Sequence, residues 1–289
     1  MRCENCRRGD FQWVSLIFIA ACVSTTAAND KPLPREVSVE HYDSIQAAID
    51  ANPGRRVYVP QGDYVIKQPI RLKENRSGLF GDGRIVQENS DQPIVEIQKG
   101  ADIELRGLTL TRPEGKNETN KEGVIAIECD NLVVERVTVI DNRSRSAAIS
   151  IHQCRNVRIS HCLVQNYMRI TIEDRTADPN WGYAFHCIDG TGIQVNRSTG
   201  TLIECNRVIE QHLRPTPEIK KEYHLGDWVK KNPQKGNLMT QQAWDLDYSN
   251  NWQQGSAIVV TAPEVTDLTR VLGNHIENAA QGIDLHSDH

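Results

Sequence analysis

Between residues 94 and 286 the chain repeats, and each repeat has a rigid part and an elastic part. Six short apolar runs open the repeats: 94–97, 124–127, 148–151, 192–195, 257–260 and 282–285. In the first four a second alternating run follows, and it closes on Leu110, Val139, Val164 or Val208. Measured from the start of the opening run, three of these spans are equal and the second, Val124 to Val139, is one residue shorter. What comes between a closing residue and the next opening run varies widely: 111–123, 140–147, 165–191 and 209–256. A fixed span joined to an elastic one is what a solenoid gives when it tolerates insertions at one corner.

Alternation with period 2 specifies strands rather than helices. The shortest repeats, 24 and 25 residues from start to start, match the length of one coil of a parallel β-helix. A single coil has nothing of its own to pack its apolar face on, so the coils must stack. The pattern then predicts an inward column of Ile97, Ile127, Ile151, Val195, Val260 and Leu285. Two outward columns follow from the same alternation. One is Glu96, Ala126, Ser150, Gln194, Val259 and Asp284; the other is Gln98, Glu128, His152, Asn196, Thr261 and His286.

Residues 1–28 are excluded from the fold as a targeting segment. Arg7 and Arg8 supply positive charge, and Trp13 to Ala21 supply an apolar stretch. That stretch is shorter than the roughly 20 apolar residues of a membrane span. Cleavage after Ala27 or Ala28 gives a secreted or periplasmic protein. Alternatively, Ile19-Ala20-Ala21-Cys22 resembles a lipoprotein box, with Cys22 lipidated. Residues 29–40 form a polar, proline-bearing linker, and 41–289 form the repeat domain. The net charge of −5 and the absence of a basic cluster in the sequence argue against a nucleic-acid partner.

Cys3 and Cys6 lie in the targeting segment, whereas Cys129, Cys154, Cys162, Cys187 and Cys205 lie in the repeat. The repeat cysteines read as small apolar residues stacked in the coils. Cys129 and Cys154 share a corner of adjacent coils, so a disulfide between them is the other option. Glycosylation sequons begin at Asn75, Asn117, Asn142 and Asn196 and are read as incidental.

Ahead of the repeat, 43–51 predicts a short helix. Asp43 or Ser44 caps it, and Ile45, Ala48 and Ile49 form one apolar stripe. Such a helix can cover the open end of a solenoid. Strands are predicted at 56–60, 64–66 and 70–72, and 78–83 follows in the same style. The run Ser44 to Ala51, the run Val57 to Tyr64 and Gly81-Asp82-Gly83 together resemble the entry segment of the pectate lyase superfamily. That resemblance implies an all-β, right-handed parallel β-helix with a short N-terminal capping helix. It also implies an activity on uronic-acid polysaccharides, by β-elimination or hydrolysis. The aspartate-pair and histidine-glycine motifs of polygalacturonases are absent. At the other end, the coil opened at 282–285 is followed only by 286–289. This leads to the expectation of either a truncated product or an end covered by self-association.

The chemistry is expected where the long excursions 111–123, 166–191 and 211–256 leave. Stacked coils must bring these to one flank, where they would wall the face of the opening strands. Candidate substrate-binding residues are His152, Gln194 and Asn196 on those strands. Arg169, Trp181, His186, Trp244 and Trp252 join them from the loops, the tryptophans offering flat faces to sugar rings. Candidate catalytic residues are Asp245, Asp247, Asp284 and His286. Hydrolysis needs paired carboxylates, and β-elimination needs a cation on the uronate and a base for its α-proton. Asp245 and Asp247 also suit a calcium ion. The competing function is a non-catalytic glycan-binding or adhesin-like β-helix.

Overall fold

The computed structural model describes residues 36–169, 190–212, 256–263, 268–279 and 281–286, with the backbone alone of 172–173, 177–178, 182–183 and 214–215. They belong to the unit Pro32–His289. The chain winds through three parallel sheets in turn. Sheet I holds the opening strands: Ile70–Leu72, Val95–Gln98, Val124–Ile127, Ala147–His152, Thr191–Asn196, Ser256–Thr261 and Gln281–His286. Sheet II holds eight strands: Glu36–Ser38, Arg56–Val59, Gly78–Gly81, Ala101–Arg106, Asp130–Glu135, Arg155–Ser160, Leu202–Glu204 and Arg270–Leu272. Sheet III holds Asp63–Ile66, Arg84–Gln87, Thr109–Thr111, Thr138–Ile140, Leu163–Gln165, Arg207–Ile209 and His275–Glu277. The fold is the right-handed parallel β-helix that the sequence resemblance implies. Glu36–Ser38, placed in the linker by composition, is a strand paired with Arg56–Tyr58.

The helix Ile45–Ala51 forms as expected, with Ser44 as its cap: the Ser44 hydroxyl accepts from the Ala47 amide at 3.1 Å. Ile45, Ala48 and Ile49 are buried against the first coils. The closing residues Leu110, Val139, Val164 and Val208 are all buried in sheet III.

Corners repeat as regularly as strands. One residue per coil after sheet I takes positive φ: Lys99, Glu128, Gln153, Arg197 and Ala262. Inside the corner between sheets II and III an amide ladder forms. Asn206 is fully buried; it accepts from the Cys162 amide at 2.9 Å and donates to the Ile159 carbonyl at 3.0 Å. Asn274 repeats the arrangement one coil later. Buried backbone groups at a turn must be paired, and a stacked asparagine satisfies two at once. Gly81 explains its own motif: its φ is +134°, and a Cβ there would lie 2.1 Å from the Val59 carbonyl oxygen.

The register differs from the sequence expectation by one residue in one coil. Val124 pairs with Val95 and Ile149, and Ala126 pairs with Ile97 and Ile151. The inward residue is therefore Ala126, fully buried, and not Ile127. Ile125 replaces Ala126 in the first outward column, and Ile127 replaces Glu128 in the second. The second column is thus not polar along its length. The cause is Gly123, which immediately precedes this strand and, by the same register, falls level with Ala148. A Cβ at Gly123 would lie 2.7 Å from Val139 Cγ1 and 2.8 Å from the Ala148 carbonyl oxygen. Gly192 is equally tight, at 2.5 Å from both Ala257 O and Val208 Cγ1. Counting from Gly123 rather than Val124 makes all four spans equal.

The two registers separate by mutation. Ala126→Asp puts a carboxylate in the core and is expected to abolish cooperative folding. Ile127→Asp lies on the outer face and is expected to change stability by no more than about 1 kcal/mol. Urea denaturation of both variants decides; the reverse ranking would overturn the register.

Candidate functional site

The excursions do leave from one place. Each runs from the end of a sheet III strand to the start of a sheet I strand: Thr111 to Val124, Gln165 to Thr191 and Ile209 to Ser256. Their bases form short ladders of their own. Glu118–Thr119 pairs with Arg143–Ser144, Ser144 bridges to Met168, and Ile172–Glu173 pairs with Arg214–Pro215.

A cleft of about 540 Å³ opens at this corner. Arg84, Arg112, Arg143, Arg169 and His212 line it, with Glu114, Glu118, Asp141, Asn117 and Thr111. These come from five consecutive coils, so the cleft runs along the solenoid axis for four strand spacings, about 19 Å.

The cationic residues do different work. Arg112 is 1% exposed and holds the frame. Its Nε donates to Asn142 Oδ1 at 2.6 Å, and its two Nη atoms donate to the Asn89 and Gln92 carbonyls at 2.9 and 2.8 Å. Burial lowers its pKa to about 10, partly offset by the charge of Glu122, so it stays a cation at neutral pH. Asn142 is itself buried in this contact, which leaves no room for a glycan on that sequon.

Arg143 pairs with Glu210, whose side chain is 0% exposed, at 3.2 Å. The same carboxylate accepts from the Met168 and His212 amides, both at 3.2 Å, and Arg143 Nη1 donates to the Met168 carbonyl at 2.7 Å. One buried carboxylate thus ties together the bases of two long excursions. Tyr167, buried beside it, has its phenol pushed above the usual range by burial and by Glu210. Arg84 lies at the rim, half exposed and paired with Asp63 at 3.1 Å.

Of the candidate site residues that are among the described residues, Arg169 alone lines the cleft. His152, Gln194 and Asn196 sit on the outer face of sheet I in the expected columns. Asp284 and His286 do meet, at 2.7 Å. That contact is a property of strand geometry, since side chains two apart share a face. Ser150 with His152 at 2.7 Å and His275 with Glu277 show the same spacing. The ladder runs His152, Asn196, Thr261, His286, so the two histidines stand about 14 Å apart, three strand spacings. Trp181, His186, Trp244, Asp245, Asp247 and Trp252 lie outside the described residues. Among the described residues no three His, Cys, Asp or Glu side chains converge to hold a metal ion. The other cationic residues of the cleft, Arg84, Arg112, Arg143 and His212, escaped the reading because it looked for the site on the opening strands, and none of them lies there.

No family model and no curated protein matches the chain. Among solved structures, the chain is similar to a candidate glycosyl hydrolase of Parabacteroides merdae ATCC 43184, at 13% identity and a TM-score of 0.45, covering 63% of this chain and 92% of that one. It is similar to ORF18 of Geobacillus virus E2, at 12% identity and a TM-score of 0.46, covering 84% of this chain and 48% of that one. It is also similar to the surface protein and adhesin PfbA of Streptococcus pneumoniae, at 14% identity and a TM-score of 0.39, covering 87% of this chain and 88% of that one.

His152 offers a pH test of the sheet I face. Burial lowers its pKa, with Glu122 acting weakly in the other direction. The unfolded chain therefore binds this proton more readily than the folded one. Stability from this residue is complete above the ordinary histidine pKa of about 6.5 and falls as pH drops below it. Proton NMR should show His152 titrating below about 6.5, and His152→Gln should flatten the stability profile between about pH 7 and 5. A His152 midpoint above that ordinary value would contradict the placement.

Proposed function

We propose that the protein is an exported carbohydrate-active β-helix that acts on a uronic-acid polysaccharide at the corner cleft, by β-elimination or hydrolysis. The observation that carries this reading is the cleft itself: four arginines and a histidine from five consecutive coils line one groove. Guanidinium groups match carboxylates in a planar, two-point geometry. A groove along the axis accepts an extended chain, and successive coils offer cationic partners to successive sugars. Arg112 and Arg143 hold the frame; Arg84 at the rim, with Arg169 and His212, also lines the cleft, and these three are proposed to meet the substrate.

Each reaction has its parts in the lining. For elimination, Arg84 or Arg169 neutralises the uronate carboxylate, which acidifies the adjacent C–H; His212 takes that proton as the neighbouring glycosidic C–O bond breaks, and solvent protonates the departing sugar oxygen. For hydrolysis, two of Glu114, Glu118 and Asp141 serve as acid and base. The positively charged, apolar N-terminal stretch supports export, through a cleaved signal or through Cys22. A non-catalytic glycan-binding role is the second reading. What favours it is the distance between His152 and the Asp284–His286 pair, about 14 Å over three strand spacings, which leaves those groups apart on sheet I.

The test is incubation with a panel of uronic and neutral polysaccharides, with and without calcium. Ultraviolet absorbance of an unsaturated uronide and new reducing ends are followed together. Product from a uronic polysaccharide is expected, and Arg169→Ala should lower the rate at least about 100-fold. Saturable binding without product would establish the second reading. Neither binding nor product with any uronic polysaccharide would end both.

A further inference from the structure

Cys129 and Cys154 occupy the same place on adjacent coils. The register that pairs Ile127 with His152 and Asp130 with Arg155 sets them side by side at the corner between sheets I and II. Neighbours in a parallel ladder lie about 4.8 Å apart. A disulfide requires a Cα separation of roughly 4.4–6.8 Å. The sulfur of Cys154 is turned towards the earlier coil: the Cys129 amide donates to it at 3.3 Å, and the Ala126 carbonyl lies 3.7 Å from it. Both carry free thiols, 2% and 1% exposed.

The two thiols also differ in chemistry. In the packed corner the neighbouring Cys154 side chain, with nearby backbone groups, holds the Cys129 thiol below its ordinary value, while Cys129 and burial push the Cys154 thiol upward. Cys162 is the internal comparison. Its ladder neighbours are Val137 and Asn206, not a thiol, and burial raises it to about 12.

We propose that Cys129 and Cys154 close a disulfide that staples two adjacent coils as the chain folds. The Cys129 thiolate attacks the sulfur of an external disulfide, forming a mixed disulfide and expelling one thiolate. Cys154 gives up its proton to solvent, attacks the Cys129 sulfur and expels the second thiolate. The protein loses two protons and two electrons, and the external disulfide takes the electrons. Because both sulfurs end up buried, the exchange precedes the final packing of this corner. The staple links residues 25 apart in sequence and fixes the two strands that carry Ile125 and Ser150. It is independent of any activity on polysaccharide.

The full chain is prepared in two ways: recovered from an oxidising compartment, and refolded with oxidised glutathione as the external disulfide. Each sample is alkylated in denaturant, digested and mapped by mass spectrometry. A Cys129–Cys154 linked peptide with Cys162 alkylated is expected. Cys162→Ser should keep the link, and Cys154→Ser should leave Cys129 open to alkylation. Dithiothreitol should lower the Tm of the linked protein by several degrees and leave that of Cys129→Ser unchanged. Cys129 and Cys154 both alkylated in both samples, or joined to other cysteines instead, overturns the proposal.

Discussion

Everything in this molecule depends on the in-register hydrogen bonding of one coil to the next. Each parallel ladder places a residue beside its counterpart one coil earlier, so sequence positions far apart become neighbours along a column. Apolar residues such as Val95, Val124, Ile149, Ile193 and Ile258 then bury one another, which no single coil could manage alone. The same stacking multiplies corner devices. An asparagine that satisfies one turn satisfies the next, as Asn206 and Asn274 do. It also multiplies steric limits: Gly123, Ala148, Gly192 and Ala257 fall at one level of sheet I, and at the two glycines backbone and valine methyls leave no room for a Cβ.

Stacking also decides what a charged residue means. On the outer face of sheet II, Arg56, Glu104, Arg106 and Glu135 alternate in sign and bridge coil to coil, with Arg56 also paired to Glu36. These are partly exposed pairs, each worth little on its own and together a solvated face. At the corner between sheets III and I the same residue types face a concave surface. There Glu210 is buried, and its charge is compensated by Arg143 and by two backbone amides. Removing one partner from such a pair leaves an isolated charge in a poor solvent, at a cost of about 3–5 kcal/mol. The pair therefore sets the shape of the cleft, which Arg84, Arg169 and His212 also line.

Most of the fold was legible because alternation and spacing are direct images of the ladder. The capping helix, the closing column Leu110, Val139, Val164 and Val208, and the corner from which the insertions leave all follow from them. The one slip in register carried its own signal: a span one residue shorter than the other three. Opening the second run at Val124 rather than Gly123 reversed the sides of Ala126 and Ile127, as a one-residue shift must. The cleft was less legible because most of its residues lie outside the three repeating sheets. Yet Arg112, Arg143, Arg169 and His212 each fall two to five residues past a closing residue, a regularity visible only once the corner is known to be concave. Asp245, Asp247 and the loop tryptophans lie outside the described residues, so their part in the site rests on sequence.

The stacking can be measured directly across the whole solenoid. Asp63 and His275 belong to one outward column of sheet III, which runs through Arg84, Thr109, Thr138, Leu163 and Arg207. Nitroxide labels at these two positions, with the other accessible cysteines replaced, can be ranged by pulsed electron paramagnetic resonance. Six ladder steps predict a narrow distribution centred at about 29 Å. A broad distribution, or a separation far from that value, would mean that the coils between them do not stack in this register, and the cleft they build would be lost with them.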